Sequence, residues 1–311
     1  MKNLKTLFTL CLLALAGNLY AQRDGEKPYL TKTFSPDGLK NVKIETSGGF
    51  INVSGQTSGE ARIEMYVRGN NGRDNLSDSE LKERLEKYYS VNIDKSANTL
   101  TAIAKRTSKE DWNSNNGLSI SFKVYVPSAV GTDLRTSGGS IRLADLSGEL
   151  KAETSGGSID VSNLKGNANV HTSGGSIAVE NITGKLVAST SGGSIRATGN
   201  MGDSKLNTSG GSIRLNSVSG SLEANTSGGS IHADIAKFGD RLTLSTSGGS
   251  IEVKMPMDKG MDLDLQGDRV QIAMNNFDGL VENDRVKGKL NGGGIPVRIH
   301  TSGGRVKINQ M

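Results

Sequence analysis

Apolar and polar residues alternate in short runs along most of this chain, and between positions 136 and 253 the runs return with a fixed period. In residues 141–158, apolar side chains occupy alternate positions, and the runs end at Ser-Gly or Ser-Gly-Gly. Such alternation predicts half-buried strands. Glycine suits the turns between them because it adopts positive φ angles with little strain. Each unit therefore predicts two strands, one on each side of a flattened coil.

The hexapeptide Thr-Ser-Gly-Gly-Ser-Ile sets the period. Its copies begin at Thr136, Thr154, Thr172, Thr190, Thr208, Thr226 and Thr246. Five successive gaps are 18 residues, and the last gap is 20. A repeat of this length is typical of a solenoid, in which equivalent residues of successive coils stack into columns. The sequence therefore predicts an all-β fold, a parallel β-solenoid with 18-residue coils, plus one short helix near the N-terminal part.

Two columns of apolar residues form the predicted core. The first contains Ile141, Ile159, Ile177, Ile195, Ile213, Ile231 and Ile251. The second contains Leu143, Val161, Val179, Ala197, Leu215, Ala233 and Val253. One coil alone cannot offset the entropy of ordering its residues, so only the stack is expected to be stable. The repeated threonine falls on the inward side, which predicts an internal hydroxyl ladder from coil to coil. The alternative is an outward threonine array such as an ice-binding face.

The segments that flank the array are less regular. Residues 22–135 predict a β-rich segment with a capping helix at about 77–89, where Ser77 and Glu80 have the spacing of a capping box. We expect this helix to plug or cover the solenoid, because bare strand edges invite aggregation. A partner-binding helix is the alternative. The regular repeats occupy residues 136–253 and are followed by irregular C-terminal coils of the same solenoid, over residues 254–311.

Two further features lie before the array. Residues 46–49 repeat Thr-Ser-Gly-Gly and predict an early coil-like unit that is separated from the main array. The only tryptophan, Trp112, lies in the charged, asparagine-rich stretch 107–117. It is either a binding anchor or a side chain that folds onto a nearby apolar surface.

The first 21 residues have the pattern of a secretory signal peptide. An apolar run follows Lys2 and Lys5 and is too short to span a bilayer. Transmembrane anchoring is the alternative. Cys11, the only cysteine, lies within this segment, so the mature chain has no thiol and no disulfide. We predict export to the periplasm, the outer surface or the medium, with no membrane-spanning segment in the mature chain.

The charge balance limits the range of partners. The whole chain has 37 Lys and Arg against 32 Asp and Glu, and two of the lysines belong to the signal segment. A balance this even favours neither nucleic acid nor an anionic membrane as a partner.

The outward positions carry mixed polar side chains and no recognisable reactive cluster. One column contains Arg142, Asp160, Ala178, Arg196, Arg214, His232 and Glu252. Its neighbour contains Ala144, Ser162, Glu180, Thr198, Asn216, Asp234 and Lys254. These columns indicate cross-strand charge pairing, and neither carries an aromatic ring on which a sugar could stack.

We expect His171, His232 and His300 to share no column. No zinc, thiol, hydrolase or P-loop motif is present, so no catalytic, cofactor-binding or metal-binding residue is predicted, and the ligand-binding residues are unknown.

Several segments together carry a family resemblance. They are Lys-Val-Tyr-Val-Pro at 123–127, the hexapeptide copies, Leu-Asn-Gly-Gly-Gly at 290–294 and Thr-Ser-Gly-Gly at 301–304. In this order they resemble the bacterial putative-adhesin β-repeat family, related to the head domains of presumed autotransporter adhesins, over most of residues 40–309. The resemblance implies a single-stranded right-handed β-helix outside the cytoplasm, without catalytic residues. Many members carry aspartate where this chain has serine before isoleucine, which argues against an acidic, ion-binding edge here.

The sequence thus predicts a non-enzymatic, extracytoplasmic, adhesin-like structural and interaction module. Its repetitive polar faces would contact an unknown cell-surface or envelope component, either protein or glycan. No cofactor is predicted. The alternative is a polysaccharide-binding or polysaccharide-cleaving right-handed β-helix, which rests on analogy with other proteins of that fold.

Overall fold

The computed structural model describes residues 27–70, 76–107 and 117–311, which form 25 strands and one helix. The N-terminal elements are β1 (Leu30–Phe34), β2 (Asn41–Thr46), β3 (Ile51–Gln56), β4 (Ala61–Gly69), α1 (Asp78–Tyr88), β5 (Tyr89–Ser96), β6 (Thr99–Arg106), β7 (Leu118–Pro127) and β8 (Gly131–Thr136). The array contains β9 (Ile141–Ser147), β10 (Leu150–Thr154), β11 (Ile159–Lys165), β12 (Ala168–Thr172), β13 (Ile177–Thr183), β14 (Leu186–Thr190), β15 (Ile195–Thr198), β16 (Ser204–Thr208), β17 (Ile213–Thr226), β18 (Ile231–Thr246) and β19 (Ile251–Met255). The C-terminal strands are β20 (Met261–Gln266), β21 (Arg269–Ile272), β22 (Phe277–Val281), β23 (Arg285–Leu290), β24 (Ile295–Thr301) and β25 (Arg305–Gln310).

The array strands form two layers. Strands that end at a repeat threonine pair in parallel, with Leu150 opposite Ala168, and we call them the threonine layer. Strands that begin at a column isoleucine pair in parallel, with Ile159 opposite Ile177, and we call them the isoleucine layer. The long strands β17 and β18 run through both layers. The described part of the chain is therefore all-β with one short helix and has β-solenoid-like stacking.

The two predicted apolar columns lie in the core. Every column isoleucine is at most 1% exposed, and the second column is also buried. Side chains from both layers belong to one hydrophobic cluster that runs the length of the stack. The prediction that these columns face inward is confirmed.

The repeat threonines are buried and join successive coils. Thr190 Oγ1 donates a hydrogen bond to the Gly175 carbonyl oxygen of the preceding coil at 2.7 Å and accepts one from the Gly193 N–H at 3.3 Å. The same pair of bonds recurs at Thr136, Thr154, Thr172, Thr208, Thr226 and Thr246. The inward placement is confirmed, but the hydroxyls bond to backbone groups and not to one another.

The serine before each column isoleucine makes a second set of bonds between coils. Ser158 N–H donates to Ser140 Oγ at 3.3 Å, and Ser176 N–H donates to Ser158 Oγ at 3.2 Å. The pattern continues to Ser250, whose Oγ accepts from the Arg305 N–H. A hydroxyl at this position is therefore part of the scaffold.

The first coil of the chain is not the first coil of the stack. β2 lies between β6 and β8, and β3 lies between β7 and β9, all in parallel. Thr136 Oγ1 donates to the Gly49 carbonyl oxygen at 2.9 Å across this junction. The prediction that the early unit is separated from the array is wrong, because the intervening chain forms β4 to β7 and places β6 and β7 on the far side of that unit.

The last coil of the chain also lies one place in from the end of the stack. β24 lies between β18 and β20, and β25 lies between β19 and β21. Thr301 Oγ1 donates to the Gly249 carbonyl oxygen at 2.6 Å. Beyond β20, the antiparallel strands β23 and β22 extend the threonine layer. The C-terminal region thus contributes two coils out of chain order and a hairpin that the sequence analysis did not anticipate.

The predicted helix is confirmed at the N-terminal end. Ser77 Oγ accepts the Glu80 N–H at 3.3 Å, and the Ser77 N–H donates to Glu80 Oε2 at 2.9 Å, so the capping box is complete. Leu81 and Leu85 pack partly buried against the core, and Tyr88 is buried. The helix contacts β4, β5 and β7, which pair antiparallel with neighbouring strands at this end.

One core position carries an amide where the other coils carry apolar side chains. Asn200 takes the place held by Leu146, Leu164, Ile182 and Val218 in nearby coils. It is 1% exposed, and neither its Nδ2 nor its Oδ1 has a hydrogen-bond partner among the described residues. A buried amide without partners destabilises the folded state.

We expect Asn200→Leu to raise the free energy of unfolding by about 1–3 kcal/mol, since it removes an unpaired amide and restores the aliphatic column. Urea denaturation of both proteins measures the difference. Asn216→Leu, on an outward position, is the control and is expected to change stability by at most about 0.5 kcal/mol. A lower stability of Asn200→Leu would contradict the prediction, because it would mean that the amide is hydrogen-bonded in solution.

Candidate functional site on the outer faces

The outer face of the isoleucine layer carries the charged column expected from the sequence. Arg142 and Asp160 lie opposite one another and approach to 3.6 Å. At the other end Lys307 Nζ lies 3.2 Å from Glu252 Oε1. Hydrogen bonds from Lys307 and Asn309 lower the pKa of Glu252. At each end of this column, a cation and a carboxylate are therefore paired between neighbouring coils.

The outer face of the threonine layer carries a row of hydrogen-bonding side chains that contains no Lys, Arg, Asp or Glu, which we call the uncharged row. Its members, each opposite the next in register, are His171, Ser189, Asn207, Asn225, Ser245, His300 and Gln266. Adjacent strands are about 4.8 Å apart, so the row is roughly 29 Å long. Six of its members stand directly before a threonine of a Thr-Ser-Gly-Gly copy and could have been predicted, but the predicted outward columns covered only the other layer.

Some members of the row are held by contacts with their neighbours. His171 Nδ1 lies 2.8 Å from Ser189 Oγ. Asn225 Nδ2 donates to Asn207 Oδ1 at 3.1 Å and to Glu223 Oε1 at 3.3 Å. Because an amide has two N–H donors and two acceptor lone pairs, Asn207 Nδ2 and Asn225 Oδ1 keep hydrogen-bonding capacity beyond these bonds.

A groove of about 320 Å³ lies at the C-terminal end of this row. One wall contains Thr243, Arg298 and Asp264, and the other contains Ser245, His300 and Gln266. Asp264 is in contact with Arg285, at 3.6 Å. Within the part of the chain that the structure describes, the Arg298 guanidinium has no hydrogen bond or ion pair. The groove thus presents an available cation beside hydroxyl, imidazole and amide groups.

Two histidines share a column, contrary to the sequence-based expectation. His171 and His300 both precede a repeat threonine and both belong to the uncharged row. Only His232 lies in the other layer. Five coil steps, or roughly 24 Å, separate the two imidazoles of the row. They cannot act on the same atom.

The outer face of the isoleucine layer also carries aromatic rings, at its N-terminal end and outside the array. Arg62 lies 4.4 Å from the ring centre of Tyr125, and Lys123 lies 5.1 Å from that of Tyr66. Burial and the hydrogen bond to Glu64 raise the pKa of Tyr66. The predicted outward columns covered only the array, and these side chains reach the face because β4 pairs antiparallel with β7.

Two kinds of feature are not found in the described ranges, and three features of the sequence lie outside them. Within 27–70, 76–107 and 117–311, no three His, Cys, Asp or Glu side chains are grouped so that they could hold a metal ion. The one helix in those ranges is too short to cross a membrane. Trp112, Cys11 and the predicted signal segment 1–21 lie outside the described residues.

Comparison with known proteins identifies a family. No curated protein matches the chain. Similar solved structures include a putative adhesin from Parabacteroides merdae (16% identity, 91% of this chain and 95% of that one, TM-score 0.46). A putative adhesin from Bacteroides fragilis matches with 13% identity, 90% and 96% coverage and a TM-score of 0.38. A putative lipid binding protein from Parabacteroides distasonis matches with 16% identity, 90% and 96% coverage and a TM-score of 0.44. Residues 99–309, more than half of the chain, match the family model described as Toastrack DUF4097, and the chain therefore belongs to that family.

Proposed function

We propose that this protein is a non-enzymatic, extracytoplasmic, adhesin-like interaction module, built as a right-handed β-solenoid. The observation that carries the proposal is the uncharged row, which sets one polar group per coil in register over seven coils. A partner with a regular surface can contact many coils at once. Many weak contacts on one rigid scaffold then combine into a useful affinity.

The charges on the two outer faces support binding over catalysis. Arg142 pairs with Asp160, Lys205 lies 2.9 Å from Glu223, and Lys307 pairs with Glu252. General acid–base chemistry needs groups that converge on one reacting bond. These three carboxylates are engaged by cations of a neighbouring coil and act as links within the scaffold.

Binding to isolated envelope material tests this proposal. Residues 22–311 would be incubated with envelope fragments and, separately, with envelope and plant-type glycans, followed by assays for bound protein and for reducing or unsaturated sugar ends. We expect saturable retention on the fragments and no release of new ends. Sustained turnover would overturn the proposal in favour of the alternative, a polysaccharide-cleaving β-helix.

The compartment and the division of the chain are parts of the same proposal. We place residues 1–21 as a cleaved signal, 22–135 as the N-terminal segment with its capping helix, 136–253 as the regular repeats and 254–311 as the C-terminal coils. The partner is a surface or envelope component. Cell fractionation combined with protease treatment of intact cells is expected to find the protein outside the cytoplasm, and recovery in the cytoplasmic fraction would contradict this.

A further inference from the structure

We infer that the uncharged row and the adjoining groove bind an extended acidic polysaccharide laid along the solenoid axis, with Arg298 receiving a carboxylate of the sugar chain. This inference rests on the proposed function and names the site and the ligand class. Three observations support it: the hydrogen bonds within the row, the spacing of its members, and an Arg298 guanidinium that has no ion pair among the described residues.

The spacing favours a polymer with a short, regular repeat. The row offers one hydrogen-bonding group about every 4.8 Å along the axis. An extended sugar chain presents ring hydroxyls at similar intervals, one ring after another. A peptide strand would instead need an unpaired strand edge for its backbone groups, whereas the strands that carry Ser189, Asn207 and Asn225 are paired on both sides.

The chemistry of the row favours sugar hydroxyls over nucleic acid. Nucleic-acid sites neutralise phosphates with several lysines and arginines, and no member of the row is basic apart from its two histidines. Amide, hydroxyl and imidazole groups both donate and accept, as sugar hydroxyls do. The bonds from His171 to Ser189 and from Asn225 to Asn207 already order these side chains, which reduces the entropy lost on binding.

Arg298 adds selectivity for an acidic sugar. It stands in the groove wall next to Asp264, whose carboxylate is in contact with Arg285. A guanidinium binds a carboxylate with two parallel hydrogen bonds. Thr243 and Ser245 place hydroxyls beside the same space, where they can reach the ring hydroxyls of the same sugar unit.

Two matched double variants test the site. Ser189→Glu with Asn225→Glu puts two carboxylates into the row, and Ser162→Glu with Asn216→Glu makes the same chemical changes on the other outer face. Binding of residues 22–311 to a polyuronate, dextran sulfate and neutral dextran of similar length would be measured by calorimetry at physiological ionic strength, after thermal melts show that each variant is folded. We expect the first double variant to lose at least about tenfold in polyuronate affinity and the second to change by less than about twofold.

Arg298→Gln separates the two parts of the inference. We expect it to weaken polyuronate binding by about tenfold and to leave the melting curve unchanged. Equal losses in both double variants, or equal affinity of the parent for polyuronate and dextran sulfate, would overturn the site, because either result indicates general attraction to a polyanion. An unchanged polyuronate affinity in Arg298→Gln would overturn the role of Arg298. If no polysaccharide binds while the protein is still retained on envelope fragments, this inference fails and the proposed function stands.

Discussion

Replacing Ile195 by aspartate is expected to lower the free energy of unfolding by at least about 4 kcal/mol, because it buries a carboxylate in an aliphatic column. Ile195 is 1% exposed and lies between Ile177 and Ile213 in the middle of the stack. Each coil is stabilised mainly by its neighbours, so the damage should spread over several coils. Thermal melting measures the loss, and hydrogen exchange of the flanking strands shows how far it extends.

The adjacent residue provides the control. Arg196 points outward from the same strand, and Arg196→Asp is expected to change stability by no more than about 0.5 kcal/mol. A melt of Ile195→Asp that coincides with that of the parent would show that the isoleucine column is not the core.

Gly157→Ala is expected to destabilise the protein by about 3 kcal/mol, at the upper end of the usual cost of overpacking. The second glycine of the hexapeptide lies so close to the preceding coil that an added methyl group would overlap the carbonyl group of Gly139. The overlapping atoms belong to the backbone of Gly139, which cannot change rotamer to relieve the contact as a flexible side chain can. The requirement for glycine is therefore set by the distance between coils, which urea denaturation of the variant would measure as a loss of stability.

The first glycine of the same copy is the matched control. A methyl group on Gly156 would lie 3.6 Å from the carbonyl oxygens of Gly138 and Ser137, an ordinary contact. Gly156→Ala is expected to change stability by less than about 1 kcal/mol. Equal losses for the two variants would mean that backbone freedom, and not coil spacing, explains both glycines.

The strongest local signals in the sequence were sufficient to predict the regular part of the fold. Alternation around Ile195 placed this side chain in the core, and the same alternation placed Thr190 inside and Arg196 outside. The helix could be predicted because Ser77 and Glu80 form their capping box within one turn. Each of these predictions depends only on residues that are near one another in the chain.

Features set by distant pairing could not be predicted in this way. The sequence within residues 41–56 and within residues 295–310 contains no signal that each of these coils lies between two others. The groove beside Arg298 depends on that insertion, because it joins β18, β24 and β20. The role of Asn163 and Asn181 was also not predicted. Both have a positive φ, which asparagine tolerates, and both donate a side-chain hydrogen bond to the preceding coil.

The position of β24 and β25 determines when the molecule can be complete. Their coil lies between coils formed by earlier residues. When a ribosome or an export channel has released the chain only as far as Leu290, the place of this coil in the stack is therefore still empty. Until residues 295–310 pair there, the edges of β18 and β19 on one side and of β20 and β21 on the other have unpaired backbone N–H and C=O groups. This part of the stack therefore closes only when residues 295–310 are inserted, and its coils cannot be added one after another in chain order.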